Sequence, residues 1–438
     1  MGGGGTAAVR QGGRAAFRHA GFRNFLGARF FDRLAMEMLI TAVSWQVYEL
    51  TGDPWHLGLV GLAQFAPFLL LFLVSGAAAD RLPRLRIMQA GVAVQFCCVA
   101  AFLGMTVADR ASLPAIFAVL SLLGLARAFQ APVQMALVPL LVPAEHFANA
   151  VAWNSTAFQI ARIGGPALAG ALLLLGLDVV YGLVAACVAA SLLFVARVHP
   201  PAQVMSTGPF TWRGALAGLR FIWSRQVVLG AISLDLFAVL LGGATALLPI
   251  FAVEILGVGA VGFGALRSAP VVGSLACMLL LTQRPIRRRA GLKLLFSVGV
   301  FGIAICVFGL STTFWLSLLA LVVLGAADAV SVFVRNNLVQ IITPDERRGR
   351  VSAVNSVFIG ASNELGEFES GMTAAWWGVV PAVLVGGLGT IGIALAFALL
   401  MPSLRRVDSL DPEALLREHG GPPGASPGGE PPRADPVV

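Results

Sequence analysis

The sequence predicts an all-α integral membrane protein of twelve transmembrane helices, arranged as two six-helix bundles related by pseudo-two-fold symmetry. Three observations predict this fold: the apolar composition, the alternation of charge between successive connections, and an internal duplication. The 438-residue chain is 58% hydrophobic and 12% charged, and its mean hydropathy is +0.85. Because soluble domains carry about twice this share of charged residues, the composition indicates a membrane protein.

Apolar stretches of about 20 residues follow one another along the chain, and each stretch is long enough to cross a hydrocarbon core of about 30 Å. Hydropathy and helix-breaking residues define their ends. The predicted spans, numbered helices 1 to 12, are 25–50, 55–79, 87–108, 113–141, 148–175, 178–197, 227–252, 259–282, 291–311, 313–342, 351–376 and 379–401.

The connections between these spans alternate in charge. One set contains a single arginine, Arg110, whereas the other set is rich in basic residues. Basic loops stay on the cytoplasmic side of a membrane, so the rich set and both termini are predicted to be cytoplasmic. The basic residues of that set are Arg81, Arg84, Arg86, Arg197, Arg213, Arg220, Arg225, Arg284, Arg287, Arg288, Arg289, Lys293, Arg347, Arg348 and Arg350.

The second half of the chain repeats the first at offsets of 201 to 203 residues. LGARFFDR in helix 1 aligns with LGAISLDL in helix 7, which places Asp32 opposite Asp235. VPAEHFANAVAWNS aligns with TPDERRGRVSAVNS, and the same offset places Arg127 opposite Asp328. Two parallel halves of this kind are typical of alternating-access transporters, whose binding site lies near the midplane.

The repeat and the loop charges together predict five segments. They are a cytoplasmic N-terminal segment (1–22), an N-terminal six-helix bundle (23–197), a cytoplasmic linker (198–226), a C-terminal six-helix bundle (227–401) and a cytoplasmic tail (402–438). The linker contains WRGALAGLRFIWS, which has the pattern of an amphipathic surface helix. The Pro- and Gly-rich tail has the composition of a disordered segment.

Several function classes receive no support from the sequence. The net charge of +8 comes from loop arginines that set topology, so nucleic-acid binding is not predicted. No Gly-x-x-x-x-Gly-Lys loop is present, which excludes an ATP-driven pump encoded within this chain. The five cysteines lack metal-ligand spacing, and no histidine lies near the middle of a span. We therefore expect no cofactor, no metal and no intramembrane enzyme.

The segment RFFDRLAME in helix 1 places charges inside an apolar span. Arg29, Asp32, Arg33 and Glu37 lie on one face of a helix, with Arg33 and Glu37 four residues apart. A charge at the bilayer centre costs about 2.5–3.5 kcal/mol, so this face must line a wet cavity or another helix. The two arginines either extend to the cytoplasmic interface or act with the acids. We interpret Glu37 and Asp32 as groups that exchange protons, with the arginines controlling when they do so.

Five segments resemble the major facilitator superfamily, and the likeness covers residues from about 22 to 401. GAAADRLPRLR resembles its Gly-x-x-x-Asp-Arg-x-Gly-Arg loop, with Pro83 where a glycine is usual. RAFQA resembles Arg-x-x-Gln-Gly of helix 4, with Ala131 replacing the glycine. ARIGGPALAG resembles the Gly-Pro motif of exporters in helix 5, with Ala161 in place of the motif's first glycine. PDERRGRVSAVNSVF and GASNELGEFESG are similar to the enterobactin-exporter branch.

The resemblance implies a transporter in which helices 1, 4, 7 and 10 line the cavity. It also implies gating roles for residues of the second loop and of helix 5, and it implies export. Asp80 is expected to face the start of helix 11, where the helix dipole favours an anion. The gating residues are Gly76, Asp80, Arg81, Arg84, Gly165 and Pro166.

Other polar residues inside the spans complete the candidate site. Arg127 and Asp328 either form a structural ion pair or take part in proton coupling, with Gln130 beside Arg127. Arg267 in helix 8 needs an acid, and Asp235 is the nearest candidate by topology. A further set either hydrogen-bonds neighbouring helices or lines the cavity: Asn154, Gln159, Arg162, Asn355, Asn363 and Glu364.

These observations predict a secondary active transporter that works by alternating access in the cytoplasmic (inner) membrane. We expect a monomeric, proton-coupled antiporter that exports a small amphiphilic molecule, either a siderophore-like compound or a drug. Two alternatives remain: an importer of the same fold, and a non-transporting sensor or receptor built on a transporter scaffold. The expected partners are the substrate, protons and the lipid bilayer, with no nucleic acid.

Overall fold

Helices account for nearly all of the chain that can be described. The computed structural model describes residues 15–199, 219–286, 288–411, 413 and 415, and no residue in these ranges is in a β-strand. Twelve long helices within these ranges confirm the predicted all-α fold. They are α1 (Ala20–Thr51), α2 (Pro54–Arg81), α3 (Arg84–Val107), α4 (Leu113–Leu141), α5 (Phe147–Leu172), α6 (Leu177–Ala196), α7 (Gln226–Leu241), α8 (Gly259–Gln283), α9 (Ala290–Leu310), α10 (Phe314–Ile342), α11 (Asp345–Trp377) and α12 (Val379–Leu400).

Helix 7 is shorter than predicted, because its second half is irregular. After α7 the chain forms a 3₁₀ turn (Ala244–Leu247), one α-helical turn (Leu248–Ile250) and a π-helical turn (Phe251–Ile255). The break begins at Gly242 and Gly243, where a Cβ on Gly242 would lie 2.6 Å from the Phe301 ring. Pro249 then removes a backbone donor from the helix. Hydropathy does not detect these breaks, because the segment is apolar throughout.

Three of the twelve helices are less apolar than the others. Nine helices in the described part of the chain are long and apolar enough to cross a membrane; one of these spans continues from α7 to Ile255. The remaining three are α1, α5 and α11, which contain most of the polar residues singled out from the sequence. Because a charged helix face in contact with lipid is costly, the polar residues of these three helices are candidates for the functional site.

By their contacts the described residues form two compact units. Unit 1 comprises those of Met1–Pro209 together with Leu248–Ser268, and unit 2 comprises those of Phe210–Leu247 together with Ala269–Val438. Unit 1 therefore contains α1 to α6 and the first part of α8, and unit 2 contains α7, the rest of α8, and α9 to α12. The bundle limits 23–197 and 227–401 stay a prediction. The segments 1–14, 200–218 and 416–438, which hold much of the predicted termini and linker, lie outside the described residues.

The two units use duplicated glycines for close helix packing. In unit 1, a Cβ on Gly124 of α4 would overlap the carbonyl oxygen of Gln64 in α2. In unit 2, a Cβ on Gly325 of α10 would overlap the carbonyl oxygen of Pro270 in α8. Gly124 and Gly325 are 201 residues apart, so the repeat read from the sequence corresponds to a repeated packing contact.

Leu248–Ser268 packs within unit 1 against α5. Gly264 of α8 and Gly170 of α5 leave no room for a Cβ between the two backbones. The Ser268 hydroxyl donates to the Ile163 carbonyl oxygen at 2.9 Å. This close approach fixes the position of α5 along the stretch that carries the Gly-Pro motif.

Candidate functional site

Glu37 lies in an ionic cluster between α1 and α5 in unit 1. It forms an ion pair with Arg33 one turn earlier, and Arg162 Nε of α5 lies 3.9 Å from the same carboxylate oxygen. Both guanidinium groups pack on the Phe158 ring, with distances from Cζ to the ring centroid of 4.6 Å for Arg33 and 5.9 Å for Arg162. The side chain of Glu37 is 15% exposed, compared with 29% and 39% for the two arginines. The acid is thus the most buried charge of the cluster.

Gly165 of α5 brings the backbone of that helix against Glu37. A Cβ at this position would overlap the Glu37 Cβ and would lie 3.3 Å from the Leu34 carbonyl oxygen. At Gly164, the nearest atom to an added Cβ is a Leu34 methyl group at 3.9 Å, which is an ordinary contact. The Gly-Pro motif therefore contains one glycine that the packing against Glu37 requires and one that it does not.

Asp32, five residues before Glu37 in α1, is buried next to two glutamines. Gln95 of α3 and Gln130 of α4 exchange hydrogen bonds of 3.0 and 3.3 Å. Gln95 also contacts the Asp32 carboxylate, whose Oδ1 atom is buried without a hydrogen-bond partner among the described residues. A Cβ on Gly91 would lie within 2.7 Å of the Gln130 amide carbon, so this glycine makes room for the pair.

Two further arginines of unit 1 surround this acid. Arg29 donates to Gln134 Oε1 of α4, and its charge acts on Asp32. Arg127 lies with Cζ 5.9 Å from the centroid of the Phe68 ring and is close enough to Arg33 for their charges to interact. The predicted proton-coupling residues of the first half are therefore close together.

In unit 2, Asp235 forms a buried ion pair with Arg335 of α10. Their side chains are 6% and 2% exposed, respectively. The pairing of Asp235 with Arg267, expected from topology, is wrong: the cation that neutralises Asp235 comes from α10. Arg267 lies on the part of α8 that belongs to unit 1 and is half-buried.

A small pocket adjoins this ion pair. Asp235 of α7 and Asp328 of α10 both line it, together with the hydroxyl-bearing Ser297 of α9 and Ser331 of α10. The remaining lining residues are apolar: Ala238, Val239, Val298, Phe301 and Ala327. Asp328, predicted from the duplication as the counterpart of Arg127, therefore lies beside the buried pair of its own unit.

The remaining predicted polar residues are spread along α5 and α11. Asn355 is buried, and its Oδ1 has no hydrogen-bond partner among the described residues. Asn363 donates to its own helix at Ile359. Glu364 is partly buried, and the neighbouring Glu367 accepts a hydrogen bond of 3.1 Å from Thr245. On α5, Asn154 and Gln159 are partly exposed.

The predicted gating residues near the second loop are only partly described. Gly76 and Asp80 belong to α2, but the Asp80 side chain, and with it the expected contact with the start of helix 11, lies outside the described residues. Arg81 ends α2 and is exposed. Arg84 begins α3 and lies 3.5 Å from the Ala136 carbonyl oxygen of α4. Pro166 is buried beside Gly165 in α5.

Sequence reasoning missed three residues of these clusters: Gln95, Gln134 and Arg335. Arg335 and Gln134 are 201 residues apart, so they are duplicate positions on helices 10 and 4. Extending the repeat comparison further along these two helices would have shown an arginine in one half and its glutamine counterpart in the other. Gln95 has no such signal, because a single glutamine inside an apolar helix has no obvious partner in the sequence.

Comparison with known proteins agrees with this architecture. Residues 11–423 match the model of the family described as transmembrane secretion effector. The chain is 29% identical over 398 residues to the enterobactin exporter EntS of Citrobacter koseri, covering 89% of this chain and 93% of that protein. It is 27% identical over 405 residues to the enterobactin exporter EntS of Escherichia coli O1:K1, covering 90% and 95%.

Solved structures with the same fold are transporters. A bacterial homologue of the human lysosomal transporter Spinster matches with a TM-score of 0.68 at 16% identity, covering 88% of this chain and 96% of that one. A POT family transporter in complex with 5-aminolevulinic acid matches with a TM-score of 0.70 at 11% identity, covering 89% and 97%. Identities this low show the fold alone. The family match over nearly the whole chain and the exporter relatives establish that this protein is a multi-pass membrane transporter, not an enzyme, and that it belongs to the transmembrane secretion effector family of the major facilitator superfamily.

Proposed function

We propose that this transporter is a proton-coupled exporter of a small amphiphilic molecule and works by alternating access. In this proposal it acts as a monomer in the cytoplasmic membrane, with both termini in the cytoplasm and no nucleic-acid partner. The observation that carries the proposal is Glu37, a carboxylate deep in a membrane helix, held by arginines from two helices.

The depth of Glu37 excludes a role as an interfacial anchor. It is the eighteenth residue of α1, about 26 Å from the first residue and about 21 Å from the last. A glutamate side chain cannot reach either end of the helix from there. An acid at this depth needs a charge partner or a proton, and reversible exchange between these two states is what a proton carrier requires.

The cluster links protonation to helix packing. When Glu37 is ionised, its attraction to Arg162 of α5 holds α1 and α5 together, while Arg33 pairs with it within α1. Protonation removes the charge from this contact and leaves two guanidinium groups without their carboxylate. Protonation and substrate occupancy then act on a single conformational equilibrium, which is the condition for coupling. Asp32 provides a second acid on the same helix, and we assign Arg127 and Asp328 the role of exchanging charge partners during the cycle.

The direction of transport and the substrate class rest on the relatives. Proteins of 27–29% identity along nearly the whole chain are named enterobactin exporters, so a siderophore-like compound is the first substrate to test, and a drug-like amphiphile the second. We also assign the gating role to Asp80 and to the Gly165–Pro166 motif, whose contact with Glu37 would transmit a change of protonation to α5.

The test is flux in proteoliposomes with an inside-out orientation and an acidic lumen. We expect wild-type protein to accumulate enterobactin in the lumen only while the pH gradient lasts. Glu37→Gln should reduce gradient-driven uptake to the level of protein-free vesicles, while exchange of enterobactin without a gradient stays measurable. Glu49→Gln is the matched control, because Glu49 is an exposed acid near the end of the same helix.

Three outcomes would contradict the proposal. Full gradient-driven uptake in both Glu37→Gln and Asp32→Asn would show that the segment is structural. Uptake only in right-side-out vesicles would indicate an importer. Binding without flux in either orientation would indicate a sensor built on the transporter fold.

A further inference from the structure

The residues that follow α12 pack against the start of α9 in unit 2. The Ala290 amide donates to the Asp408 carbonyl oxygen at 3.0 Å. The Gly291 amide donates to the Val407 carbonyl oxygen at 2.9 Å. A helix leaves its first amide groups without partners inside the helix, so this segment, the strap (402–411), caps α9.

A glycine and two apolar side chains hold the strap in place. A Cβ on Gly291 would overlap the Leu404 carbonyl oxygen and would lie 3.4 Å from the Arg405 carbonyl carbon. The side chains of Leu404 and Val407 are buried in the core of unit 2. The backbone of Arg405 therefore lies next to the first turn of α9.

The two segments that this contact joins are rich in exposed basic residues. Four of these residues lie in the connection between α8 and α9 and in the first turn of α9, and two lie in the strap. None of their side chains forms an ion pair with an acid among the described residues. The six residues are Arg284, Arg288, Arg289, Lys293, Arg405 and Arg406.

The acids nearby are too few to balance these charges. Asp408 and Asp411 lie in the strap, and Glu413 follows it. Six positive and three negative charges leave three positive charges in excess among the described residues of these segments. The Asp408 carboxylate already accepts the Arg289 backbone amide at 3.0 Å. This end of unit 2 therefore presents a positively charged surface.

The duplicate connection in unit 1 is built differently. α2 ends at Arg81 and α3 begins at Arg84, so two residues connect them, whereas six residues connect Gln283 to Ala290. Arg84 lies 3.5 Å from the Ala136 carbonyl oxygen of α4. Arginines that only set topology need no common position, but the strap brings those of two separate segments together. The arrangement in unit 2 thus calls for a ligand.

Exposed apolar side chains lie beside the basic residues. A Cβ on Gly302 of α9 would lie 2.8 Å from the Gly387 carbonyl oxygen of α12, so the two helices pack side by side. With the contact at the strap, this places the start of α9 and the end of α12 at the same end of unit 2. Phe296, Leu399 and Leu400 lie between the two contacts and are 74%, 76% and 79% exposed, respectively. In a membrane-spanning unit, such side chains face lipid chains.

We propose that the basic residues at the strap bind the headgroup of one anionic phospholipid, whose acyl chains lie on the exposed apolar side chains of α9 and α12. Guanidinium groups bind phosphate through paired N–H donors, and basic clusters at the ends of membrane helices attract anionic headgroups. A soluble phosphate would contact the basic residues only, whereas a phospholipid also contacts the apolar ones. The site is separate from the Glu37 cluster, and its test needs no transport measurement.

The experiment measures thermal unfolding of the purified full-length protein in a neutral detergent. Phosphatidylglycerol, phosphatidylcholine with the same acyl chains, or glycerol 3-phosphate is added over a series of concentrations. We expect a saturable rise in Tm of about 2–4 °C with phosphatidylglycerol and no comparable rise with the other two, because a ligand that binds the folded state alone stabilises it by mass action. Native mass spectrometry should retain one phosphatidylglycerol per chain.

A triple variant tests the charges. Arg289→Gln, Lys293→Gln and Arg405→Gln together remove the three excess positive charges, and they leave the backbone hydrogen bonds of the strap in place. The variant should lose the rise in Tm with phosphatidylglycerol and should retain no lipid in native mass spectrometry.

The matched control removes three exposed basic residues from unit 1. It combines Arg18→Gln, Arg86→Gln and Arg197→Gln; Arg86 is the duplicate of Arg289 at an offset of 203. This control has the same total charge as the triple variant but keeps the positively charged surface of unit 2. It should therefore keep the full rise in Tm.

Gly291→Ala tests the strap itself. It keeps every charge but forces the strap away from α9, so it should also abolish the rise. An equal rise with phosphatidylcholine would indicate ordinary solvation by lipid, and an equal rise with glycerol 3-phosphate would indicate a soluble ligand. Either result, or a phosphatidylglycerol effect of wild-type size in the triple variant or in Gly291→Ala, would overturn the proposal.

Discussion

Asp32 in unit 1 and Asp235 in unit 2 occupy duplicate positions, but their surroundings differ. Asp235 is paired with Arg335, and the two side chains are almost completely buried together. In unit 1 the counterpart of Arg335 is Gln134, and the arginine bound to Gln134 is Arg29 of α1. Among the described residues, Asp32 keeps one carboxylate oxygen without a hydrogen bond, whereas Asp235 has a dedicated cation.

A second pair of duplicate positions shows the same contrast. Gly165 packs its backbone against Glu37, and 201 residues later Gly366 packs against Leu240, the counterpart of Glu37. The close helix contact is present in both halves, but only unit 1 places a charge in it. The counterparts of Arg33, Phe158 and Arg162 are Leu236, Ile359 and Asn363.

This comparison indicates that the repeat has kept the packing and not the chemistry. Glycine contacts recur because two helices can approach closely only where no side chain intervenes. Charges inside a membrane are costly, so each half retains those that its own role requires. We infer that unit 2 holds a fixed, neutral pair, while unit 1 holds acids whose partners can change.

The largest expected effect comes from breaking the buried pair of unit 2. Asp235→Ala leaves Arg335 as an unpaired buried cation and should lower the free energy of unfolding by about 3–5 kcal/mol. The double substitution Asp235→Leu with Arg335→Leu removes both charges and should recover most of this loss. Denaturant-induced unfolding in detergent measures both effects.

If Asp32→Ala lowered the free energy of unfolding as much as Asp235→Ala does, the inferred difference between the two acids would be wrong. We expect a smaller loss at Asp32, because Arg29 keeps its hydrogen bond to Gln134 when the acid is removed. Equal losses would mean that both acids are structural, and that the open oxygen of Asp32 has no special role.

A smaller effect is expected from adding one methyl group at the duplicated glycines. Gly165→Ala forces α5 away from Glu37 and should lower the free energy of unfolding by about 1–3 kcal/mol. It should also reduce gradient-driven flux more than gradient-free exchange, because the Arg162–Glu37 contact is displaced. Gly164→Ala should change neither property, because the added group meets only ordinary contacts.

The duplicate glycine separates packing from coupling. A Cβ on Gly366 would lie 2.7 Å from the Val239 carbonyl oxygen, so Gly366→Ala should be destabilising to a similar degree. Since Leu240 carries no charge, the ratio of gradient-driven flux to exchange should stay at the wild-type value. A changed ratio in Gly366→Ala, or an unchanged one in Gly165→Ala, would contradict the assignment of coupling to unit 1.

Hydropathy, loop charge and the internal repeat were sufficient to predict twelve helices. Hydropathy and loop charge depend on residues close together in the chain, and the repeat only compares one such local segment with another. The ion pair of Asp235 could not be predicted in this way, because its partner lies 100 residues away on α10. Near the C-terminal end of an apolar helix, Arg335 has the same local sequence pattern as an arginine that extends to the interface. Hydropathy also placed a continuous helix 7 across Gly242 and Gly243, where the contact with α9 and α11 decides the backbone path.

The cluster around Glu37 was predicted in part. The spacing of Arg33 and Glu37 placed them together on one helix face, and the structure confirms their ion pair. The approach of Arg162 depends on how α5 packs against α1, which only the contact at Gly165 defines. Residues within one helix were therefore predictable, and the contributions of other helices were not.

The smallest expected effect concerns Gln134, the unit 1 counterpart of Arg335. Gln134→Ala removes the acceptor of the Arg29 hydrogen bond, and both side chains are only half-buried, so water can replace it. We expect a loss of about 1 kcal/mol in the free energy of unfolding, several times less than the loss for Asp235→Ala. Arg29 is then free to turn towards Asp32, one turn away on the same helix. That would give Asp32 the dedicated cation that Asp235 already has, so we expect the pH dependence of gradient-driven flux to change in Gln134→Ala while the rate of gradient-free exchange does not.

Asp32→Asn in the Gln134→Ala background should remove this change in pH dependence, because no carboxylate remains for Arg29 to bind. If the pH profile is the same with and without Gln134, the partner of Arg29 has no influence on coupling, and the difference between the two halves lies in the Glu37 cluster alone.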